Sequence, residues 1–534
     1  MPLSARSTLR WQAAGLGMML LLGTLPAPAL AARPRLHACA YRDQYTPAEL
    51  PTLAGWDLLV TRTEQPSYLA ALLRGQAKLL YYRDLVFARD WLEGWEDIRQ
   101  QEDWFVHDRA LGYRLFSADF GNYLMDPGSG WGLWVARSAA LRARALGYAG
   151  VFGDDCTFTA RYLRLLLRTE TESAPVVGGK AATRVQADSV LGIYADPSHR
   201  GRNWRQGAAV SPGPGDTTTI ILPPDAPGKV YLDYTVSVYR ENEQAKVEPG
   251  GLVHTRWPIE WVYGVWAGPD HQGTNHYHGK GYDCFRNQGG RGALAVGEGL
   301  NAGSTCYVKY KAVFLPSELE ARWQQGLVGI LVTLRQYLGS GLICYNGVDR
   351  RGGDSPYAAI ADAGMMEEVF HSRGVMPNWF DTPERWRLFL DRIVSYQKGG
   401  KLILVQSGST RTGGPDDERV AQFCYASYLL GQGDSSSFNF AWEYDGLYRP
   451  PAWSLDLGTP RQPYQAHPDG TCSRRFEQGL VVVLPPLREG YRHGKQVTHP
   501  LGGRYRPLHL DGSLGPTVSE VVLPDATGAI LLPE

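Results

Sequence analysis

Eight short apolar runs recur along the chain, at Leu36–Tyr41, Trp56–Thr61, Ala77–Asp84, Gly150–Asp155, Leu342–Gly347, Ala363–Phe370, Lys401–Gly408 and Ser437–Glu443. Several are apolar at both parities, as in Leu79-Leu80-Tyr81-Tyr82 and Leu402-Ile403-Leu404-Val405. A strand buried on one face alternates apolar and polar residues. Runs apolar at both parities therefore predict strands of a parallel sheet covered by helices. Segments with helical character lie between them, at Leu133–Leu146, Ser317–Leu338 and Pro383–Gln397. Ser317 and Glu320 have the spacing of a capping box. Strands and helices alternating over eight units predict an α/β fold, a (β/α)8 TIM barrel. The link Val348–Asp362 is short and Gly-rich, so the barrel is expected to be irregular between its fifth and sixth strands.

The alternation breaks off between about Val176 and Leu315. Thr217–Leu222, Val230–Tyr239 and Cys306–Phe314 alternate with a period of two, and Gly/Pro-rich turns such as Ser211–Asp216 separate them. That pattern predicts an antiparallel β-sandwich inserted after the fourth strand. Without it the barrel has about 270 residues, near the usual ~250. After Tyr444 the runs Phe476–Leu484, Val518–Leu523 and Ala529–Leu532 predict a small C-terminal β-domain. The expected division is therefore barrel at 32–175 and 316–445, inserted β-sandwich at 176–315, and C-terminal β-domain at 446–534.

Residues 1–31 read as a cleaved secretory signal. Arg6 and Arg10 precede the apolar run Ala13–Leu25, and Ala29-Leu30-Ala31 is an A-x-A cleavage pattern. The run is shorter than the ~20 residues a membrane span needs. The expected location is secreted or periplasmic, in the cell envelope, with no integral membrane segment after cleavage. The seven cysteines are too few for a disulfide scaffold. Cys284 and Cys306 are the one pair expected to bond; Cys39, Cys156 and Cys344 lie in or beside apolar runs and read as buried thiols.

Charge narrows the function. Lys and Arg number 54, as do Asp and Glu, and this balance argues against a nucleic-acid partner. Aromatic residues make up 11% of the chain, which suits stacking on sugar rings as well as packing in a core. In a TIM barrel the reacting groups sit at the C-terminal ends of strands. Two strands end there in paired acids: Gly150-Val151-Phe152-Gly153-Asp154-Asp155 and Gly364-Met365-Met366-Glu367-Glu368. Glycoside hydrolysis needs two carboxyl groups, one to protonate the leaving oxygen and one to attack or to activate water. Alternation along a strand allows only one acid of each doublet to face the axis.

These segments resemble a known family. Leu124-Met125-Asp126 through Trp131, then Gly150-Val151-Phe152-Gly153-Asp154, resemble the mD-x-x-x-x-W and G-V-F-x-D segments of the hypothetical glycosyl hydrolase-like group and of the related endo-α-1,4-polygalactosaminidase family. Glu367 and Phe370 match their E-x-x-F, and Glu102-Asp103-Trp104-Phe105 their E-x-W-F. Asp456–Pro460 resembles D-L-G-x-P, and Arg475–Gly479 resembles R-x-F-x-x-G with one residue fewer. The resemblance covers the barrel and C-terminal domain and not the insert. It implies a glycoside hydrolase with Asp154 as nucleophile or base and Glu367 as general acid, with Asp155 and Glu368 as the alternative positions.

Other strand ends supply candidate sugar-binding groups: Arg83 and Asp84 on the third strand, Asn346 on the fifth, Gln406 on the seventh, Trp442 on the eighth, and Asp126 before the helix that precedes the fourth. Asp270-His271, His276-Tyr277-His278 and Asp283-Cys284 cluster in the insert, but their spacing fits no standard zinc pattern. No metal and no cofactor is expected. The chain lacks G-x-S-x-G and G-x-x-x-x-G-K-[ST]. The expected partner is a polysaccharide or oligosaccharide substrate. The competing expectation is a non-catalytic polysaccharide-binding envelope protein on the same fold.

Overall fold

A computed structural model describes residues 35–39, 50–53, 55–73, 77–89, 92–107, 114–117, 121–157, 167–198, 202–205, 207–213, 217–277, 285–288, 291–297, 299–312, 317–348, 356–373, 379–443, 446–487, 490–491 and 494–534. The expected signal at 1–31 lies outside them, as do His278, Asp283 and Cys284. Eight parallel strands close into a barrel in chain order: β1 (Arg35–Cys39), β2 (Leu58–Thr61), β3 (Lys78–Asp84), β4 (Gly150–Asp154), β5 (Leu342–Asn346), β6 (Ala363–Met366), β7 (Leu402–Ser409) and β8 (Ser436–Trp442). The ring closes where β1 pairs with β8, Arg35 against Ser437. The α/β barrel predicted from the apolar runs is thus the fold of the chain.

Alternation explains why these strands are apolar on both faces. Leu58, Val60, Leu80, Phe152, Cys344, Met365 and Leu404 point inward and fill the barrel. Their neighbours Leu59, Leu79, Val151, Ile343, Met366, Ile403 and Val405 point outward and join the core beneath the helices. Apart from the single turns Leu50–Leu53 and Trp95–Ile98, the α-helices among the described residues are α1 (Pro66–Leu72), α2 (Gly130–Leu146), α3 (Ser317–Leu338), α4 (Pro383–Lys398) and α5 (Pro415–Gly431). In α2, Ser129 caps the start by accepting a hydrogen bond from the Trp131 amide at 3.2 Å, and Gly147 ends the helix at a φ of 84°. Trp131, Val135 and Ala139 make its buried stripe. Between β5 and β6 the described residues hold only the 3-10 turn Pro356–Ala359, as the Gly-rich link predicts.

Among the described residues between β4 and α3, the strands pair antiparallel. Leu167–Pro175 pairs along its whole length with Lys229–Ser237, which also pairs with Ser189–Tyr194. That sheet continues into short strands of the β3–α2 connection, Phe116–Ser117, Asn122–Leu124 and Phe87–Ala88. A second six-stranded sheet runs Ile259–Trp266, Thr305–Ala312, Arg240–Glu248, Leu252–Thr255, Arg291–Ala295 and Phe285–Gln288. Cys306 is a free, buried thiol on its second strand, which corrects the expected bond to Cys284. Its neighbours Val308 and Tyr310 are fully buried with it, so burial accounts for the residue.

The C-terminal residues form a further six-stranded antiparallel sheet, packed on α5. Gly528 lies so close to α5 that a Cβ there would stand 2.5 Å from Ala426 Cβ. Arg474 donates to the carbonyls of Leu429 and Gln432, at 3.1 and 2.6 Å, and so satisfies the end of α5. Asp456-Leu457-Gly458-Thr459-Pro460 is a turn: Asp456 accepts from the Gly458 amide at 2.7 Å, and Gly458 has a φ of 73°. Among the described residues no helix is long and apolar enough to cross a membrane.

Candidate active site

The same alternation builds the mouth of the barrel. Two residues beyond each inward apolar residue comes a polar one: Asp84 after Tyr82, Asp154 after Phe152, Asn346 after Cys344, Glu367 after Met365 and Gln406 after Leu404. Asn346 joins one acid of each doublet. Its Nδ2 donates to Asp154 Oδ1 at 2.8 Å and to Glu367 Oε2 at 2.9 Å. Those two bonds laid end to end hold the two oxygens within about 5.7 Å of each other. Tyr82 Oη donates to Asp154 Oδ2 at 2.8 Å, and the Asp155 amide donates to Asp154 Oδ1 at 2.9 Å. Gln406 Nε2 donates to Glu367 Oε1 at 3.3 Å, and Arg373 Nη2 pairs with the same oxygen.

The second acid of each doublet is turned aside. Asp155 and Glu368 have φ values of 55° and 59°, in the left-handed region that a Glu seldom occupies. Asp155 hydrogen-bonds Asp84. Glu368 receives Arg373 Nε at 2.6 Å and also the Arg373 backbone amide. The register left open by the doublets is therefore resolved in space: Asp154 and Glu367 share a hydrogen-bond donor, while Asp155 and Glu368 make other bonds. Gly408 on β7 leaves room for this arginine, since a Cβ there would lie 2.2 Å from Arg373 Cγ.

The two acids stand in unlike fields. Burial, and then the charge of Glu367, raises the Asp154 carboxyl above the ordinary range. Burial, and then Asp154, pushes Asp84 up to about 7. Burial, followed by the charges of Asp154 and Asp84, holds Asp155 well above its usual value. Burial, with Asp154 beside it, also raises Tyr82. On the β6 side Glu368 is raised by burial, with Arg373 opposing. Asp84 Oδ1 accepts the amides of Val86 and Phe87 at 3.0 and 2.8 Å, which fixes the turn after β3.

Three candidate sugar-binding residues are bonded to neither acid of the pair. Trp442 shares its parity with Phe438 and Phe440, so it faces the helix-side core at 3% exposure. Its ring meets Phe440 and Tyr448 edge-on, and Arg411 stands 5.1 Å over it; it presents no open stacking platform. Asp126 accepts the Gly128 amide at 2.9 Å and pairs with Arg322 of α3. It shapes the turn into α2 and does not reach the acid pair. Arg83 has outward parity and lies against Trp131 and Trp134. Two residues of the site escaped the sequence reading. Tyr82 carried a signal, the parity it shares with Asp84. Arg373 carried none, because it sits in a connection without periodicity.

The sequence model of a family described as hypothetical glycosyl hydrolase family 15 matches residues 303–480, a span that holds Asn346, Glu367, Arg373 and Gln406. No curated protein matches the chain in sequence. Among solved structures the chain is similar to the glycoside hydrolase domain of PelA from Pseudomonas aeruginosa, with 11% identity over 80% of this chain and 98% of that one and a TM-score of 0.35. It is also similar to a β-L-arabinopyranosidase from Geobacillus stearothermophilus, with 9% identity, coverage of 94% and 98%, and a TM-score of 0.38. A third is Amy13B of Eubacterium rectale, with 6% identity, coverage of 95% and 97%, and a TM-score of 0.41. The family match supports a barrel of the glycoside hydrolase kind.

Proposed function

We propose that the chain is a retaining glycoside hydrolase whose reacting pair is Asp154 and Glu367. The observation that carries this reading is the Asn346 amide, bonded to both carboxylates at 2.8 and 2.9 Å. One amide can bridge them only if they are close. Retaining enzymes keep the two carboxyl groups roughly 5–5.5 Å apart, whereas inverting ones need about 6.5–9.5 Å to admit a water.

The surrounding charges divide the roles. Glu367 has a guanidinium against it, and a cation favours the negative charge that a nucleophile carries. Asp154 has Asp84, Asp155 and Glu367 around it and a raised proton affinity, which suits a group that must hold a proton and give it up. In the first step Glu367 attacks the anomeric carbon while Asp154 protonates the departing glycosidic oxygen. In the second, Asp154 takes a proton from water, whose oxygen displaces Glu367. This assignment is the reverse of the roles implied by the family resemblance. The substrate is a polysaccharide or oligosaccharide. With residues 1–31 as a signal, the enzyme acts in the periplasm, the cell envelope or the medium.

Nuclear magnetic resonance of the first product tests the stereochemistry, with the same anomer expected as in the substrate; the opposite anomer overturns the retaining mechanism. Azide added to alanine variants tests the roles. Glu367→Ala should form a glycosyl azide of inverted configuration, and Asp154→Ala one of retained configuration. The exchange of these two products would overturn the assignment. A chain that binds a glycan and cleaves none is a polysaccharide-binding protein instead.

A further inference from the structure

Beside the acid pair lies an open pocket of about 690 Å³, mouth included, lined by Arg62, Arg83 and Arg89 together with Tyr82, Asp84 and Asn122. Among the described residues its lining holds three arginines and one acid. Tyr82 and Asp84 connect it to the acid pair: both line the pocket, the Tyr82 hydroxyl donates to Asp154 at 2.8 Å, and Asp84 pairs in register with Asp154 on the next strand. The pocket therefore adjoins the Asp154 side of the acid pair.

Arg83 says what kind of ligand fits. Its guanidinium stands over the indoles of Trp134 and Trp131, at 5.3 and 5.9 Å. Trp131 is in turn fixed by its Nε1, which donates to the Leu85 carbonyl at 2.8 Å. The charge is thus rigidly placed. Yet Arg83 Nε and Nη2 are buried without a hydrogen-bond partner. Other arginines near the mouth are paired: Arg373 with Glu367 and Glu368, and Arg142 with Glu64. Asp84, the acid in the pocket wall, directs Oδ1 to the amides of Val86 and Phe87. Asp84 and Glu93 offset part of its charge, but buried guanidinium donors left without acceptors are costly, and an anion brought by a ligand removes that cost. Arginine presents donors in a planar fork that matches carboxylate and sulfate oxygens. Asn122 Oδ1 is likewise buried without a partner, an acceptor suited to a sugar hydroxyl.

We propose that this pocket binds an oxyanion, a carboxylate or a sulfate, carried by the sugar next to the scissile bond, so that the natural substrate is an acidic glycan. The proposal rests on the glycoside hydrolase reading for its place in catalysis, but its binding half can be tested alone.

Calorimetry on the full-length Asp154→Asn variant, which should consume its ligand about 10²–10⁴-fold more slowly than wild type, supplies the test. The probes are galacturonate oligosaccharides with their carboxyl-reduced counterparts, and sulfated galactan oligosaccharides with their desulfated counterparts. At least one acidic probe should bind about 10–100-fold more tightly than its neutral counterpart, as for a charge-assisted contact. Adding Arg83→Gln should shrink that preference to about threefold or less, while Arg83→Lys keeps part of it. If Arg83→Gln does not fold, the salt dependence in the Asp154→Asn variant replaces it. Acidic probes should weaken several-fold between about 0.05 and 0.5 M salt while neutral ones do not. Equal binding within both pairs, or an acidic preference that survives Arg83→Gln, overturns the proposal. Cleavage of neutral glycans with no acidic preference leaves the hydrolase standing and removes the pocket. Acidic preference in a wild-type chain that cleaves nothing does the converse.

Discussion

The two acid doublets have the same local construction and opposite surroundings. In each, the first acid continues the inward face of a barrel strand and the second takes a left-handed backbone, with φ 55° at Asp155 and 59° at Glu368. At the end of β4, however, the doublet meets another acid, Asp84, and among the described residues no arginine is paired with it. At the end of β6, Arg373 holds both members. Identical geometry with unlike charge is what a pair of carboxyls needs in order to do two jobs. The left-handed residues fit this view. A strained backbone is retained where the surrounding structure fixes it, and here it turns the second acid out of the first one's way.

The strongest way to break the comparison is to remove each facing acid. Glu367→Gln should lower turnover by at least about 10⁴-fold, as expected for loss of a nucleophile. Asp154→Asn should cost about 10²–10⁴-fold, the usual range for general acid–base catalysis. Both side chains are partly exposed at the mouth, so thermal melting should change little. Release of reducing ends and a melting curve on the same samples check this. A variant that unfolds would show that the acid held the fold.

Arg373 sharpens the contrast because among the described residues the β4 doublet has no equivalent. Arg373→Gln should reduce kcat about 10²–10³-fold, the size seen when one preorganised charge is removed from a reacting group. It should leave KM comparatively unchanged, because the side chain meets Glu367 and Glu368 and not the pocket lining. Arg373→Lys should recover only part, since an ammonium cannot fork between two carboxylates. Equal kcat in wild type and Arg373→Gln would mean that the charge difference between the doublets is irrelevant to rate.

Much of this arrangement can be read from the chain by counting in twos. Short apolar runs, several of them apolar at both parities, marked all eight strands, and the acids after Phe152 and Met365 fell on the inward parity, as Asn346 and Gln406 did. The same count places Trp442 outward with Phe438 and Phe440; an aromatic at a strand end drew the eye, but its parity decides where it points. What cannot be counted is what later segments bring back. Arg373 returns to Glu367 from a connection with no period. The strands Phe87–Ala88 and Phe116–Ser117 are too short to show alternation, so the continuity of the β3–α2 connection with the inserted sheet is set only by pairing. The bond between Asp155 and Asp84 also joins residues far apart in sequence, and two acids in contact leave no pattern in either segment.

That acid cluster yields the smallest expected effect, in stability and not in rate. Asp84 has its carboxyl pushed up to about 7 by burial and by Asp154, while in the unfolded chain it titrates near 3.9. Between those values the folded protein binds the proton and the unfolded chain does not. Its contribution therefore favours folding below about pH 4 and is lost as pH rises through 7. Asparagine at this position keeps the oxygen that accepts from Val86 and Phe87 and cannot ionise. Asp84→Asn should thus raise Tm by about 2–4 °C at pH 8 and leave it nearly unchanged at pH 4. Melting curves across that range check it. A rise of equal size at both pH values would assign the effect to packing, and a fall at pH 8 would mean that the ionised carboxylate is satisfied in the folded mouth, which would erase the difference in charge between the β4 and β6 ends.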